Sequence, residues 1–257
     1  MSSNDGIKKT LIVAFSLCIV CSVVVSTAAV VLKPVQEVNK TLDRKRNILA
    51  AAGMLEQGVS VETQFEQVES RIVDLRTGKF TDEVDPKTFD ARKAAKDPSM
   101  SETLSAEADI AKIKRRGDYA EVYLVSSASG DLEKIILPVH GYGLWSTLYG
   151  YMALESDLNT VIGLGFAEHG ETPGLGGEVD NPSWKAKWPG KKVYKDGEVE
   201  LGLIKGTVDP SSANAAWQVD GLSGATLTSN GVSNLVQFWL GEQGYQPFIE
   251  NLKAGEA

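Results

Sequence analysis

The sequence of 257 residues has very little cysteine and histidine, with two residues of each. So few sulfur and imidazole ligands exclude a disulfide scaffold, a four-cysteine zinc site and iron–sulfur ligation by this chain alone. Positive charge is also scarce, because 26 Lys and Arg residues face 34 Asp and Glu residues, a net charge of −8. Since nucleic-acid-binding proteins need a concentrated basic surface, we expect no nucleic-acid partner.

One long apolar run stands out near the N-terminus. Residues 11–32 carry no charge in 22 positions, and as a helix they would extend about 33 Å, enough for a hydrocarbon core. This length favours a transmembrane helix over a cleavable signal peptide, whose apolar region is shorter. Charges flank the run on both sides and do not decide its orientation. Cys18 and Cys21 share one helical face inside it; we interpret them as packing residues, with a metal or redox pair as the alternative.

The rest of the chain mixes short helical and strand patterns. Helical patterns cover residues 38–52, 61–69 and 231–240, and a polar connection holds a short helix near residues 89–96. Residues 115–118 are predicted to form a hairpin turn. Strand patterns occupy residues 110–114, 119–125, 134–138, 148–154, 161–166, 200–204 and 217–219.

These patterns predict an α+β fold with a mainly antiparallel sheet on one N-terminal transmembrane helix. The expected division is a tail over residues 1–10, the membrane helix over 11–32, a helical stalk and connecting segment over 33–100, and a ligand-binding domain over 101–257. No internal repeat is found.

The first candidate site is the segment of residues 220–229, which reads Asp-Gly-Leu-Ser-Gly-Ala-Thr-Leu-Thr-Ser. Its small residues allow a tight turn, and its hydroxyls crowd the entry to the last predicted helix. A helix N-terminus offers free amides and a positive dipole end, which suit a phosphate. The alternative is a strand–turn–helix junction with ordinary capping.

The second candidate is the glycine-rich loop of residues 168–177, directly after a predicted strand. Glu168, His169 and Glu171 raise the alternatives of a metal site or an acid/base set. A loop that packs against a flat ligand is favoured, with His169 as a structural hydrogen bonder.

Two other segments combine aromatic residues with glycine or lysine. Residues 141–146 are open to ligand contact or simple turn packing. Residues 184–191 resemble a basic-aromatic surface, which we interpret as a local interaction face.

The sequence resembles the family of C subunits of the bacterial Na⁺-translocating NADH:quinone reductases, which contain an FMN-binding domain. The resemblance is carried by the membrane run, by residues 71–78, 143–155 and 169–176, and by the Ser-Gly-Ala-Thr sequence at residues 223–226.

The resemblance implies one FMN, joined through its phosphate to the hydroxyl of Thr226 as a phosphoester. Asp220 opens the matching motif, and Ser223, Gly224 and Ala225 complete it. Near the flavin ring we expect Trp145 and the loop residues His169, Glu171, Thr172, Gly174, Leu175 and Gly176. Lys205 is a weaker candidate, for offsetting flavin negative charge. No catalytic residue and no metal ligand is expected.

The resemblance further implies an electron-transfer protein within an inner-membrane assembly of six subunits. That assembly would couple NADH oxidation and ubiquinone reduction to Na⁺ export, with this soluble domain on the periplasmic side. Because a threonine hydroxyl is a poor nucleophile and the motif has no neighbouring base, a separate flavin transferase acting on FAD is expected to attach the cofactor.

Three alternatives stay open. The related ion-motive ferredoxin:NAD oxidoreductase complex has an equivalent FMN-carrying subunit, although the matching run of residues 144–155 favours the quinone reductase. The second is a membrane-anchored assembly module with no redox role. The third is an anchored hydrolase that uses Glu168, His169 and Glu171.

Overall fold

The structure is a computed structural model that describes residues 6–257. Residues 1–5 of the expected N-terminal tail lie outside this range. The described chain divides into two units, with the boundary between Arg44 and Lys45.

The helices are α1 (Ile7–Ala51), α2 (Val61–Phe65), α3 (Ala91–Ala94), α4 (Pro182–Lys185), α5 (Thr226–Leu240) and α6 (Gln246–Ala254). The strands are β1 (Val68–Asp74), β2 (Lys79–Phe80), β3 (Ser101–Thr103), β4 (Arg115–Gly117), β5 (Tyr119–Ser126), β6 (Leu132–Tyr142), β7 (Thr147–Glu155), β8 (Val161–Glu168), β9 (Tyr194–Lys195), β10 (Glu198–Val199), β11 (Gly202–Ile204) and β12 (Gln218–Asp220).

The first unit consists of the greater part of α1. Among the described residues, α1 is the one helix long and apolar enough to cross a membrane. Its apolar side chains within residues 11–32 are exposed, as expected of a surface made for lipid. The helix continues through Pro34, beyond the membrane helix expected over residues 11–32. The tolerated proline shows that losing one backbone hydrogen bond does not end a helix of 45 residues.

The second unit is built on a six-stranded sheet with the order β2-β1-β5-β6-β7-β8. Every neighbouring pair in this sheet is antiparallel, and β11 and β12 form a separate parallel pair. Together with the single apolar helix, this arrangement confirms the predicted α+β fold class. The sheet takes β1 and β2 from the stretch that the sequence analysis placed in the stalk and connecting segment.

The two faces of the sheet are covered differently. Along β6, Ile135 and Leu137 point into the large core beneath α5 and α6, because successive strand residues face opposite sides. The intervening Ile136 joins a smaller cluster with Ile48 and Ala52, from the last turn of α1 and the residue after it. One face of the sheet therefore packs against the large core that includes α5, and the other face packs against the smaller cluster.

Three local predictions were wrong, and one helix was missed. The helix expected over residues 61–69 ends at Phe65, and β1 begins at Val68. The expected hairpin turn at residues 115–118 contains β4, which pairs with β3, and residues 110–114 form no strand. Helix α6 was not predicted.

Candidate flavin-attachment site

Three connections meet at one edge of the second unit. They are the turn of residues 143–146 between β6 and β7, the loop of residues 169–177 after β8, and the junction of residues 221–225 between β12 and α5. Hydrogen bonds to the carboxylate of Glu171 link the first two connections to the start of α5. This convergence brings together the two segments that the sequence singled out, which lie far apart along the chain.

The β12–α5 junction makes Thr226 the first residue of α5. Gly221 passes so close to β11 that an added Cβ would clash with the Ile204 carbonyl oxygen. Gly224 has φ +73°, a conformation that favours glycine. The Ser229 hydroxyl accepts from the Leu222 amide at 2.9 Å and donates to the Ala225 carbonyl at 3.0 Å. The turn is therefore closed by a side chain of the helix that it precedes.

The hydroxyl side chains of this junction fall into two classes. Thr228 is fully buried and Ser229 is 7% exposed, and the hydroxyls of both make hydrogen bonds. Ser223 and Thr226 are exposed. Only these two hydroxyls of the motif are accessible to a modifying enzyme, and of the two only Thr226 lies in the helix.

The N-terminus of α5 is suited to an anion. The residue before the helix is Ala225, which has no side-chain oxygen and so leaves the first-turn amides without the usual side-chain cap. A helix of 15 residues adds a positive dipole end at this point. The exposed Thr226 hydroxyl therefore lies where a phosphate group fits.

Glu171 is the centre of the convergence. Its Oε1 accepts from the amides of Leu144 at 3.1 Å, Trp145 at 3.0 Å and Ser146 at 3.2 Å. Its Oε2 accepts from the Thr228 hydroxyl at 2.6 Å. One carboxylate thus joins the β6–β7 turn, its own loop and the first turn of α5.

This carboxylate is held in its ionised form. The side chain belongs to a residue that is only 5% exposed, and burial alone would raise the pKa of Glu171. The hydrogen bonds from Thr228 and the three turn amides outweigh burial, so the pKa lies below its ordinary value. The buried charge is therefore satisfied by donors from the protein itself, and Glu171 does not need a ligand to complete it.

The acidic and imidazole groups of the loop diverge instead of forming a catalytic set. His169 Nε2 lies 2.8 Å from Asp180 Oδ2, whereas Glu168 pairs with Arg92 at 2.7 Å. Within residues 6–257, no group of three His, Cys, Asp or Glu side chains could hold a metal ion. This geometry does not support the hydrolase alternative, and it favours His169 as a structural hydrogen bonder.

The other loop residues shape its backbone. The Thr172 carbonyl accepts from the amides of Leu175 at 3.1 Å and Gly177 at 2.9 Å. Gly174 turns the chain at φ +77°. At Gly176 an added Cβ would lie 2.5 Å from the Thr228 hydroxyl oxygen and 2.6 Å from Glu171 Oε2, so only glycine fits there without displacement.

The Asp220 carboxylate is bound by residues of two neighbouring loops. Its carboxylate accepts from Lys187 Nζ at 2.7 Å and from the Val208 amide at 2.9 Å. Burial raises the pKa of Asp220, but these two partners outweigh it and the pKa lies below the ordinary value. Lys205 is exposed just after β11, and no hydrogen bond or ion pair of its side chain is seen in the described chain. The role of Lys205 beside the flavin therefore stays a prediction from the resemblance.

An apolar rim lies on the same three connections. Within residues 45–257, eight large hydrophobic side chains are exposed, and five of them belong to these connections or border them. We call the five the apolar rim: Tyr142, Leu144, Trp145, Leu175 and Leu227. Trp145 is 66% exposed, and Leu175 would lie 3.2 Å from a Cβ added at Gly224. A flat apolar ligand fits such a surface beside an anion-binding helix end.

Two residues in the candidate segments were given no role of their own from the sequence, and the prediction of one surface was wrong. Thr228 and Ser146 both contribute hydrogen bonds, Ser146 by accepting at Oγ from the Gly170 amide at 2.6 Å. A second hydroxyl two residues after Thr226 was the only signal for Thr228. The basic-aromatic surface expected over residues 184–191 does not exist as such, because Trp184 and Trp188 are buried in the core.

Comparisons with known proteins agree with this geometry. The model of the FMN-binding domain family matches residues 143–241, which include all three connections. The C subunit of the Na⁺-translocating NADH-quinone reductase of Pseudomonas aeruginosa is 55% identical, with all of both chains covered. That of Vibrio anguillarum is 49% identical over 99% of this chain and 98% of its own length. The crystal structure of Shewanella oneidensis NqrC superimposes with a TM-score of 0.76 at 40% identity, covering 82% of this chain and 97% of that one.

Proposed function

This chain belongs to the family of C subunits of the Na⁺-translocating NADH-quinone reductases, and we propose that it is the electron-transfer subunit that holds FMN covalently on Thr226. The complex that it serves would couple NADH oxidation and ubiquinone reduction to Na⁺ export. The relatives' names and the FMN-binding domain match support an FMN subunit of such a complex. The phosphoester link is the further step of the proposal.

One observation carries the choice of residue. Thr226 presents an exposed hydroxyl at the uncapped first turn of α5, whereas Thr228 and Ser229 are buried and hydrogen bonded. A phosphoester at Thr226 would place the phosphate at the positive end of the helix dipole. Neither buried hydroxyl can be reached by a modifying enzyme without opening the junction.

Attachment requires an external catalyst. A threonine hydroxyl is a weak nucleophile at neutral pH, and the two side chains of the neighbouring loop that could act as a base are engaged elsewhere, His169 with Asp180 and Glu171 with its four donors. With FAD as donor, the Thr226 oxygen would bond to the phosphorus of the FMN portion. The bond between the two phosphates would break, AMP would leave, and the hydroxyl proton would pass to a base of the transferase.

The residues around Thr226 would hold and orient the cofactor. The first-turn amides of α5 would face the phosphate, and the apolar rim, with Trp145 and Leu175 foremost, would offer a surface to the ring. FMN, when attached, supplies the ability to accept electrons and to pass them on, and the protein supplies position and environment. Covalent attachment keeps the cofactor in place during turnover.

The proposed setting is the bacterial inner membrane. A single apolar helix fits a one-pass anchor, and the soluble domain would lie in the periplasm beside the other five subunits of a complex of six. A tethered flavin suits that compartment, because a cofactor lost there could not be easily replaced.

The test is expression of the full chain with and without a Thr226→Ala change, together with the flavin transferase. We expect a band that fluoresces under ultraviolet light on denaturing electrophoresis for the unaltered chain, and its complete loss in the variant, because no other hydroxyl occupies that position. Thr228→Ala is the matched control and should keep the band. A fluorescent Thr226→Ala chain would refute the assignment, and a colourless unaltered chain would favour the assembly module without a redox role.

A further inference from the structure

Glu171 lies at the centre of the site, yet its oxygens face protein donors and not the exposed surface. Oε1 accepts from three consecutive turn amides, of Leu144, Trp145 and Ser146, and Oε2 accepts from Thr228. The amides of this turn follow β6, and Thr228 lies in the first turn of α5. The hydrogen-bonded connection between the Trp145 turn and the first turn of the helix that begins with Thr226 therefore runs through the Glu171 carboxylate, while Gly231 of the same helix packs closely against Tyr142 and Gly143.

The surrounding backbone leaves no freedom for this carboxylate. An added Cβ at Gly143 would lie 2.7 Å from Glu171 Oε1, and one at Gly176 would lie 2.6 Å from Oε2. Such distances are closer than real Cβ atoms approach other atoms. The two glycines therefore allow the turn and the loop to approach the carboxylate closely, one beside each oxygen.

From this geometry, we infer that Glu171 is a positioning residue for the flavin site rather than a flavin ligand: its carboxylate fixes the turn that carries Trp145 relative to the attachment residue Thr226. The inference rests on the proposed function for its electron-transfer consequence. It replaces the sequence-based expectation that Glu171 contacts the cofactor.

The buried negative charge has a second consequence for the same role. Reduction of a flavin adds negative charge, and an ionised carboxylate beside the site opposes it, since charges interact strongly where water is excluded. Replacing Glu171 by an uncharged residue of the same shape should therefore make the attached flavin easier to reduce. Positioning and charge can be separated because glutamine keeps the shape and an alanine does not.

The chemistry of glutamine makes it the conservative variant. In Glu171→Gln, the amide oxygen would accept from the turn amides and the amide nitrogen would donate to the Thr228 hydroxyl, which can also act as an acceptor. In Glu171→Ala all four donors lose their partner. The matched control is Glu168→Gln, which removes a carboxylate at the end of β8, just before the same loop, where it pairs with Arg92 on the surface.

The first measurement uses the full chain without flavin and follows amide hydrogen exchange at residues 144–146. In Glu171→Ala, exchange at these amides should rise about 10- to 100-fold, because hydrogen bonds to a charged acceptor are lost. It should rise less in Glu171→Gln and not at all in Glu168→Gln. Unchanged exchange in Glu171→Ala, or an equal rise throughout β5 to β8, would overturn the inference, the latter because it would indicate a merely structural role.

The second measurement uses the same chains with flavin attached and determines the midpoint potential. Glu171→Gln should keep its covalent flavin and shift to a more positive potential, whereas Glu168→Gln should match the unaltered chain. Equal potentials in all three would overturn the expected effect of the Glu171 charge on the flavin, whereas the positioning of the turn is decided by the exchange measurement. Failure of the unaltered chain to carry any flavin would instead refute the proposed function, and the exchange measurement would still decide whether Glu171 holds the turn.

Discussion

The two ends of α5 are stabilised by different interactions. At the N-terminal end, Thr226 and Leu227 are exposed, and the order of the first turn depends on hydrogen bonds of Thr228 and Ser229. At the C-terminal end, large apolar side chains pack beneath the sheet with almost no exposure: Leu235, Val236, Phe238, Trp239 and Leu240. The helix thus presents a reactive group at one end and is anchored by the other.

This difference separates function from stability along one element. Burial of apolar side chains stabilises the fold strongly, but it also removes neighbouring groups from solvent. A turn that is ordered by hydrogen bonds can keep a hydroxyl exposed. We therefore expect changes at the C-terminal end to alter the free energy of unfolding and to leave attachment intact. Loss of the exposed Thr226 hydroxyl at the N-terminal end should do the reverse, whereas the buried Thr228 and Ser229 contribute to the order of the first turn.

The largest stability effect is expected from Leu235→Ala. Leu235 is fully buried, so its truncation should lower the free energy of unfolding by about 2 to 5 kcal/mol. Urea unfolding of the full chain in detergent would measure it. Leu227→Ala is the same substitution at the other end, where the side chain is 59% exposed, and should change stability by no more than about 0.5 kcal/mol. Equal losses in the free energy of unfolding for the two variants would contradict the difference between the two ends of α5.

A smaller effect, dependent on pH, comes from His140 beneath the C-terminal end. Its ring lies between Tyr149 and Trp239, with centroids 5.4 and 4.8 Å away. Burial, aided by the charge of Arg92, lowers the pKa of His140 to about 4. Because the unfolded chain binds this proton near the ordinary value of 6.5, stability is full above that value and falls as the pH drops toward the folded pKa.

Between about pH 7 and about pH 5, His140 should thus remove about 2 kcal/mol from the free energy of unfolding. His140→Phe keeps an aromatic ring in the stack and should flatten the stability profile in this window. Urea unfolding of both chains at several pH values would show it. Identical slopes for the two chains would mean that His140 titrates normally in the folded state.

The smallest effect is expected at the N-terminal end, from Ser229→Ala. The Leu222 amide would lose its acceptor, which should cost about 1 kcal/mol because the junction is largely buried there. Asn230→Ala, exposed on the same turn, is the control and should change stability by less than about 0.5 kcal/mol. A loss above that of Leu235→Ala would contradict the division of α5 into two ends.

The sequence predicted those parts of the fold in which local pattern and tertiary packing agree. The strands over residues 148–154 and 161–166 were recognisable from their alternation and apolar content. The strand β1 was missed because charged residues interrupt it, and it is stabilised by pairing with β5, nearly fifty residues later. Helix α6 was hidden by aromatic residues and Pro247 near its start.

The site divides in the same way. Small residues and hydroxyls before an apolar helix marked residues 220–229 as a candidate site, a property of local sequence, whereas the choice of Thr226 within that segment came from the family resemblance. The contact between Glu171 and Thr228 joins residues 57 positions apart, and no local pattern encodes it. The inward direction of Glu171 and the engagement of Asp220 by Lys187 could therefore be learned only from the folded chain.

The most direct test of the account is the intact mass of the full chain purified from cells that make the transferase, followed by peptide mapping. We predict a gain of one FMN less one water, located on Thr226 and stable to denaturation. An unmodified mass, or flavin that is released on unfolding or mapped to another residue, would contradict the central claim.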